Sequence, residues 1–428
     1  MNGDVNGSGP GDLPADLLRG LTQPRVSRRA ALKFGGLSAL GMALSACSIA
    51  GSPKSELGLN AARKKIAEFW AAHAKPKGQL DFANWPLYID VNEKNKSDHP
   101  SIDLFTKKTG IKVKYNEVIQ QVDTYFGKIQ PELANNQGTG YDLMVITNGR
   151  YLDQLIELDY LIPLDQNAMA NFYANASDLA KDPSFDRGNV FTMPWQSGIT
   201  GIGYNPKKLG RDITSWQDLQ DTSLSGKIGM FGDTEDMPGC ALLAVGVNPE
   251  NSTEADWRKA AAWLKKQQPL VRKYYEQDYI DPLSKGDIYA TMAWSGDIFQ
   301  ANASGADLKF VVPKEGAMVW SDNMCIPAHA AHPRDAMTYM DFVYQPEIGA
   351  MIADYVNYIT PVATAKQVFQ KEAADATTKD DKEYYTQLST SPLIFPSAAD
   401  FAKLHRYRVL TKAEQKTWND IFEPIYQS

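Results

Sequence analysis

The run Tyr141-Asp-Leu-Met-Val-Ile146 is apolar at almost every position. A strand with one face in water alternates polar and apolar residues. Near-continuous hydrophobicity is what a parallel strand covered on both faces requires. Strand and helix signals alternate around this run. Residues 79–85 read as a strand turning at Pro86, 104–110 as a helix end stopped at Gly110, and 111–115 as an alternating strand. Val122, Tyr125, Phe126, Ile129 and Leu133 recur at helical spacing. After 190, strands are predicted at 199–204, 227–231, 289–294 and 308–312. Helices are predicted at 256–266, 333–344 and 346–356, with more helical segments after 364. Thr214 and Ser215 read as a polar cap, and Pro238 opens a helix. This alternation predicts α/β layers. At 428 residues the chain exceeds one ordinary core, so two domains or lobes are expected.

Composition narrows the function. A net charge of −7 argues against non-specific nucleic-acid binding and favours cationic partners. Five His and three Cys leave little room for a metal framework, and neither C-x-x-C nor H-E-x-x-H occurs, so no metal or cofactor is expected. No G-x-S-x-G appears, and Gly198-Ile-Thr-Gly-Ile-Gly203 lacks the order that cradles phosphate. Tyr274-Tyr275 resembles the paired tyrosines of ferric-iron carriers but reads as part of a charged helical segment.

The N-terminus reads as an address. Ser27-Arg-Arg-Ala-Ala-Leu-Lys33 precedes the apolar run 34–46 and resembles a twin-arginine export signal, and Leu44-Ser-Ala-Cys47 fits a lipoprotein box. At 13 residues the run is too short to span a bilayer as a mature helix. The expected mature protein starts at a lipidated Cys47, anchored to the outer face of the cell membrane, with 48–77 as a tether. That tether carries a short amphipathic helix at 61–73 through Ile66, Phe69 and Trp70. Loss of residues 1–46, with five basic and three acidic side chains, moves the net charge from −7 to −9. Cys240 and Cys325 are expected to be small buried hydrophobes rather than a bridge.

Several predicted strands end in an aromatic or an acid where a loop begins: Trp85 with Tyr88, Asp233 with Asp236, Trp294, and Trp320 with Asp322. Ligands of open α/β sheets bind beyond the carboxyl ends of strands. Trp320 and Asp322 are two apart on an extended chain and share a face. An indole face and a carboxylate looking into one space suit a cation. Each Trp alone also fits a core position, and Asp236 alone also fits a helix start.

The quoted pieces, taken together with further strings, resemble the spermidine/putrescine-binding proteins of ABC importers over about residues 79–370. The strings are Asn84-Trp-Pro-Leu-Tyr88, Phe105-Thr-Lys-Lys-Thr-Gly110-Ile-Lys-Val113, Tyr141-Asp-Leu-Met-Val145, Ile202-Gly-Tyr-Asn205, Thr214-Ser-Trp-Gln-Asp-Leu219, Trp294-Ser-Gly296, Pro313-Lys-Glu-Gly316, Trp320-Ser-Asp322 and Ile359-Thr-Pro361. The resemblance implies a two-lobed periplasmic-binding-protein-like α/β fold of type II closing on ligand. Lobe one would be 78–195 with 321–366, and lobe two 196–320 with 367–428. It implies aromatic contacts at Trp85, Tyr88, Trp294, Trp320 and Tyr358, a hydroxyl at Thr147, and acids at Asp233, Asp236 and Asp322. It implies a polyamine as solute, a membrane permease as partner, no catalysis and a monomer. Pro86 and Arg150 depart from the family pattern. Two other readings stay open: a different small solute, amino-acid-derived or opine-like, with a carboxylate at Arg150, and an extracytoplasmic hydrolase using the carboxylates.

Overall fold

The computed structural model describes residues 56–92 and 94–427. The export signal and Cys47 lie outside them. Strands β1 (Gln79–Asn84), β2 (Lys112–Glu117) and β3 (Leu143–Thr147) form a parallel set. Strand β4 (Thr192–Tyr204) then leads to a second parallel set, β5 (Ile228–Phe231), β6 (Val271–Tyr275) and β7 (Ala290–Trp294). Strand β8 (Lys309–Val311) pairs with β4, and β9 (Ala317–Cys325) returns antiparallel to both β4 and β3. A late strand, β10 (Leu404–His405), pairs with β9. The sheet order is β2-β1-β3-β9-β4-β7-β5-β6, so two α/β lobes meet at the β4–β9 pair.

Helices α1 (Glu56–Ala72), α2 (Pro100–Thr109), α3 (Val122–Ala134) and α4 (Arg150–Glu157) accompany the first set. Helices α5 (Asp236–Ala244), α6 (Glu254–Gln267) and α7 (Ser295–Ala303) accompany the second. The chain then forms α8 (Pro333–Phe342), α9 (Pro346–Val356), α10 (Ala365–Asp375), α11 (Lys379–Thr390) and α12 (Lys412–Tyr426). Local chemistry sets the ends. Gly110 stops α2 at φ 77°, returning its N–H to Thr106 O at 2.8 Å. Thr253 and Asp256 form a capping box on α6. All five β3 residues are buried, as the apolar run predicts. Helix α1 docks through Trp70, whose Nε1 donates to Pro163 O at 2.9 Å under the Arg334 guanidinium. Among the described residues no helix is long and apolar enough to cross a membrane. Cys240 and Cys325 are free and buried.

Two expectations change. Tyr274-Tyr275 lies in β6, a strand rather than a helix. β6 ends the sheet order, and an edge strand keeps Arg272 and Lys273 in water, which erases the period-2 pattern. Strand β4 begins at Thr192, not near 199; Pro194 sits at a bulge that absorbs its missing donor.

Helices α10 and α11 pack on α9, and Tyr384 Oη donates to Asp354 Oδ1 at 2.9 Å. Burial pushes the Asp354 carboxyl up to about 7; the Tyr384 hydrogen bond opposes the rise and the Glu372 charge adds to it. A carboxyl raised on folding is most favourable below its unfolded value, and that contribution is lost as pH climbs from about 4 to 7. Asn at 354 can still accept from Tyr384 and carries no charge. Asp354→Asn should therefore gain on the wild type in melting temperature between pH 5 and pH 8, by about 2–4 °C per kcal/mol. An unchanged gap between the two proteins across that range would refute the assignment.

Candidate functional site

Asp322 sits on β9 between Thr147 of β3 and Gln196 of β4, fully buried. A carboxylate there needs donors. Tyr88 Oη donates to Oδ2 at 2.9 Å and Thr147 Oγ1 to Oδ1 at 2.6 Å. Tyr88 arrives through the turn after β1, where Leu87 takes φ 57° and its N–H donates to Glu117 Oε1 at 2.9 Å. Burial first, then the Asp322 charge, push the Tyr88 phenol well above its ordinary range, so it remains a donor.

Trp320 stands over Gly198, where an added Cβ would enter the indole, and its Nε1 donates to Thr200 Oγ1 at 2.6 Å. Trp294 meets Trp320 edge-on, with centroids 6.4 Å apart at 84°. Tyr358 packs on Trp320 at 6.0 Å, in space that a Cβ on Gly296 would fill. The N–H groups of Trp85, Trp294 and Trp320 go to Val145 O, Asp236 Oδ2 and Thr200 Oγ1. With its N–H committed, an indole can attract a cation only through its ring face.

Asp236 opens α5 and is buried, accepting from Tyr407 Oη at 2.7 Å and Trp294 Nε1 at 3.1 Å. The helix start is capped by Asp233, whose Oδ1 accepts from the Glu235 and Asp236 N–H groups at 2.7 and 2.6 Å. A further acid, Asp297, is fully buried on α7 and accepts from Tyr279 at 2.5 Å and from Tyr358. The sequence pattern does not single it out, although it directly follows Trp294-Ser-Gly at a strand end. Trp195 sits at the β4 bulge and donates from Nε1 to Tyr88 O at 3.1 Å. Tyr407 comes from the C-terminal stretch, which carries no local signal.

A cleft of about 640 Å³ is lined by Asp123, Gly149 and Arg150 from the first lobe and by Asp233, Glu235 and Tyr407 from the second, with Asp236. The remaining seven expected ligand residues are outside its lining and at most 2% exposed. The two walls approach at Gly149, where a Cβ would lie 3.3 Å from Glu235 Oε1 and 3.6 Å from the Tyr407 ring. Arg150 lies 5.1 Å from the Tyr151 ring, and its Nε has no hydrogen-bond partner among the described residues. One cluster, Asp81, Asp142 and His332, has metal-type ligands. Its atoms are engaged internally: Asp142 accepts from Asp81 N and from His332 Nδ1, and Asp81 pairs with Lys114 at 3.3 Å.

Residues 101–387 match the family described as bacterial extracellular solute-binding protein. The chain belongs to that family. It is 28% identical over 321 residues to the spermidine/putrescine-binding periplasmic protein of Escherichia coli K12, covering 75% of this chain and 86% of that protein. It is also 28% identical over 367 residues to the same organism's putrescine-binding periplasmic protein PotF, covering 80% and 90%. Among solved structures, a putative spermidine/putrescine ABC transporter protein from Listeria monocytogenes superposes with a TM-score of 0.68 at 26% identity, covering 82% of this chain and 99% of that one. The family and these relatives are binding proteins, not enzymes. The hydrolase reading therefore falls, and the two-lobed binding-protein fold stands.

The glycines that make room for the rings can be tested. Gly198→Ala and Gly296→Ala should each cost about 1–3 kcal/mol in chemical denaturation, because a methyl enters the Trp320 or Tyr358 ring. Gly127, inside α3 with open space around it, is the control: Gly127→Ala should stabilise by about 0.5–1 kcal/mol. Equal effects at all three positions would mean the rings are not fixed by these contacts.

Proposed function

We propose that this chain is the receptor of an ABC importer for small aliphatic polyamines, of the putrescine or spermidine kind. The observation that carries the proposal is the buried Asp322 carboxylate, oriented by Tyr88 and Thr147 on the face that bears the Trp320 indole. A polyamine needs acids for its ammonium ends and apolar faces for its methylenes. In this reading Asp322 neutralises one ammonium, and Trp85, Trp294, Trp320 and Tyr358 supply the walls. Asp233 and Asp236, on the cleft side, face the more distant charge, and Asp297 adds a buried acid behind Tyr358. Each desolvated cation–π contact contributes roughly 1–2 kcal/mol. The names of the relatives support the same solute class.

Closure of the lobes on the solute presents the loaded form to a permease. The proposal keeps the lobe ranges 78–195 with 321–366 and 196–320 with 367–428, with one refinement. Helices α10 and α11 pack on α9 and move with lobe one, so the chain re-enters lobe two near Leu404. It also keeps the monomer, twin-arginine export and lipidation at Cys47, supported by the lipoprotein box. A second reading, a solute with both an amine and a carboxylate, is favoured by one observation, the cleft-lining Arg150.

Thermal-shift titration tests the solute class. Putrescine, spermidine, spermine or agmatine should raise the melting temperature, since a ligand at 100 times its Kd stabilises by about 2.7 kcal/mol. No shift from any of them at millimolar concentration would refute the proposal, and a shift from an amino-acid-derived solute that is lost in Arg150→Ala would favour the second reading. Asp322→Asn should weaken polyamine binding more than Asp236→Asn in calorimetry; equal or reversed losses would overturn the assigned roles.

A further inference from the structure

The residues assigned so far are aromatics, acids and a hydroxyl, most of them at strand ends. Gln196 is none of these. It lies inside β4, 2% exposed, in register with Asp322. Directly opposed residues of antiparallel strands carry their side chains on one face, with Cβ atoms about 4.5–5.5 Å apart. The neighbouring contacts fix which face this is. Thr147, opposite Asp322 on its other flank, bonds the carboxylate, and Trp320 bonds Thr200, four residues beyond Gln196 on β4. Gln196, Gly198 and Thr200 therefore share the face of Trp320 and Asp322.

The Gln196 Oε1 atom is buried and finds no hydrogen-bond donor among the described residues. Leaving an acceptor in that state lowers stability, and an apolar side chain of the same shape would avoid it. The neighbour across the strand pair, a carboxylate, accepts and cannot donate. The unmet acceptor is Gln196 Oε1, and the donor it calls for would sit beside the Asp322 charge. A primary ammonium carries three N–H groups pointing in different directions, and one carboxylate does not meet them all.

We propose that Gln196 contacts the solute and sets its specificity, its Oε1 accepting an N–H of the primary ammonium that Asp322 neutralises. This rests on the amine reading above. The two acceptors divide the work: Asp322 supplies charge, and Gln196 supplies a directional demand for an N–H.

Gln196→Met and Gln196→Glu, studied in the full-length mature protein with putrescine as probe, test this by calorimetry and by melting of the ligand-free protein. Gln196→Met keeps length and volume but removes the acceptor. It should weaken putrescine binding about tenfold, equivalent to about 1.4 kcal/mol, while the ligand-free melting temperature holds or rises. Gln196→Glu keeps an acceptor at the same reach and should bind within a factor of about three of wild type at neutral pH. Putrescine binding unchanged in Gln196→Met overturns the inference. So does a fall in ligand-free stability that accompanies the lost binding, or an equal loss in Gln196→Glu, since either marks a packing role. A wild-type protein that binds none of the polyamines fails one step earlier, at the amine reading itself.

Discussion

The Asp322 carboxylate lies in the interior of a sheet that joins two lobes, and much of its surroundings follows from the requirements of a buried charge. An ionised carboxylate held away from water is tolerated only with hydrogen-bond donors of good geometry. Tyr88 and Thr147 provide two, and each constrains chain that is distant in sequence. Tyr88 must be delivered by a left-handed turn at Leu87, and Thr147 must end β3 in register with β9. Asp236 and Asp297 repeat the arrangement with Tyr407 and Trp294, and with Tyr279 and Tyr358. Phenols, a hydroxyl and an indole bring no charge of their own. They orient a carboxylate without cancelling it, which suits a site meant for a cation.

These groups also sit where motion would be transmitted. β4 and β9 run from one lobe into the other, and a third connection joins them where Ser197 and Ile359 exchange backbone hydrogen bonds at 2.9 Å. Trp320, Asp322 and Tyr358 lie on or beside these connections. In the proposed reading a solute drawn to Asp322 would act at the hinge itself, while Gly149, Glu235 and Tyr407 meet at the cleft. On that reading binding and lobe approach would be coupled through short, packed segments rather than through a long relay.

Much of this was legible in the sequence, and the rest was hidden for identifiable reasons. The alternating pattern gave α/β layers because strands buried on both faces cannot conceal their hydrophobicity, as 143–147 demonstrates. The Trp320–Asp322 pair was legible because a period of two is local. Asp233 was legible as an acid at a strand end but not as the cap of α5, since a cap and a cation ligand ask for the same residue type. Tyr274-Tyr275 misled because an edge strand mixes exposed charges with one half-buried and one buried ring. Gln196 could not be found at all. Its meaning depends on pairing with a residue 126 positions away, across a bulge that shifts the register at Pro194. Tyr407 likewise gains its role only from Asp236, 171 positions earlier.

The same dependence on register explains why the glycines matter as much as the rings. Gly198, Gly239 and Gly296 are silent in a linear reading. Each is the empty half of a contact, under Trp320, Met318 and Tyr358 respectively. A large side chain on one element fixes a glycine on the element packed against it, strand on strand at Gly198 and helix against strand or loop at Gly239 and Gly296, because a close-packed interior leaves no room for both. Such pairs hold indole and phenol rings in one orientation, and a ring held before the solute arrives loses little entropy when it binds. In the proposed reading the specificity of the site would then rest on absences as well as on its acids, since the side chains missing at 198 and 296 set where the Trp320 and Tyr358 rings stand.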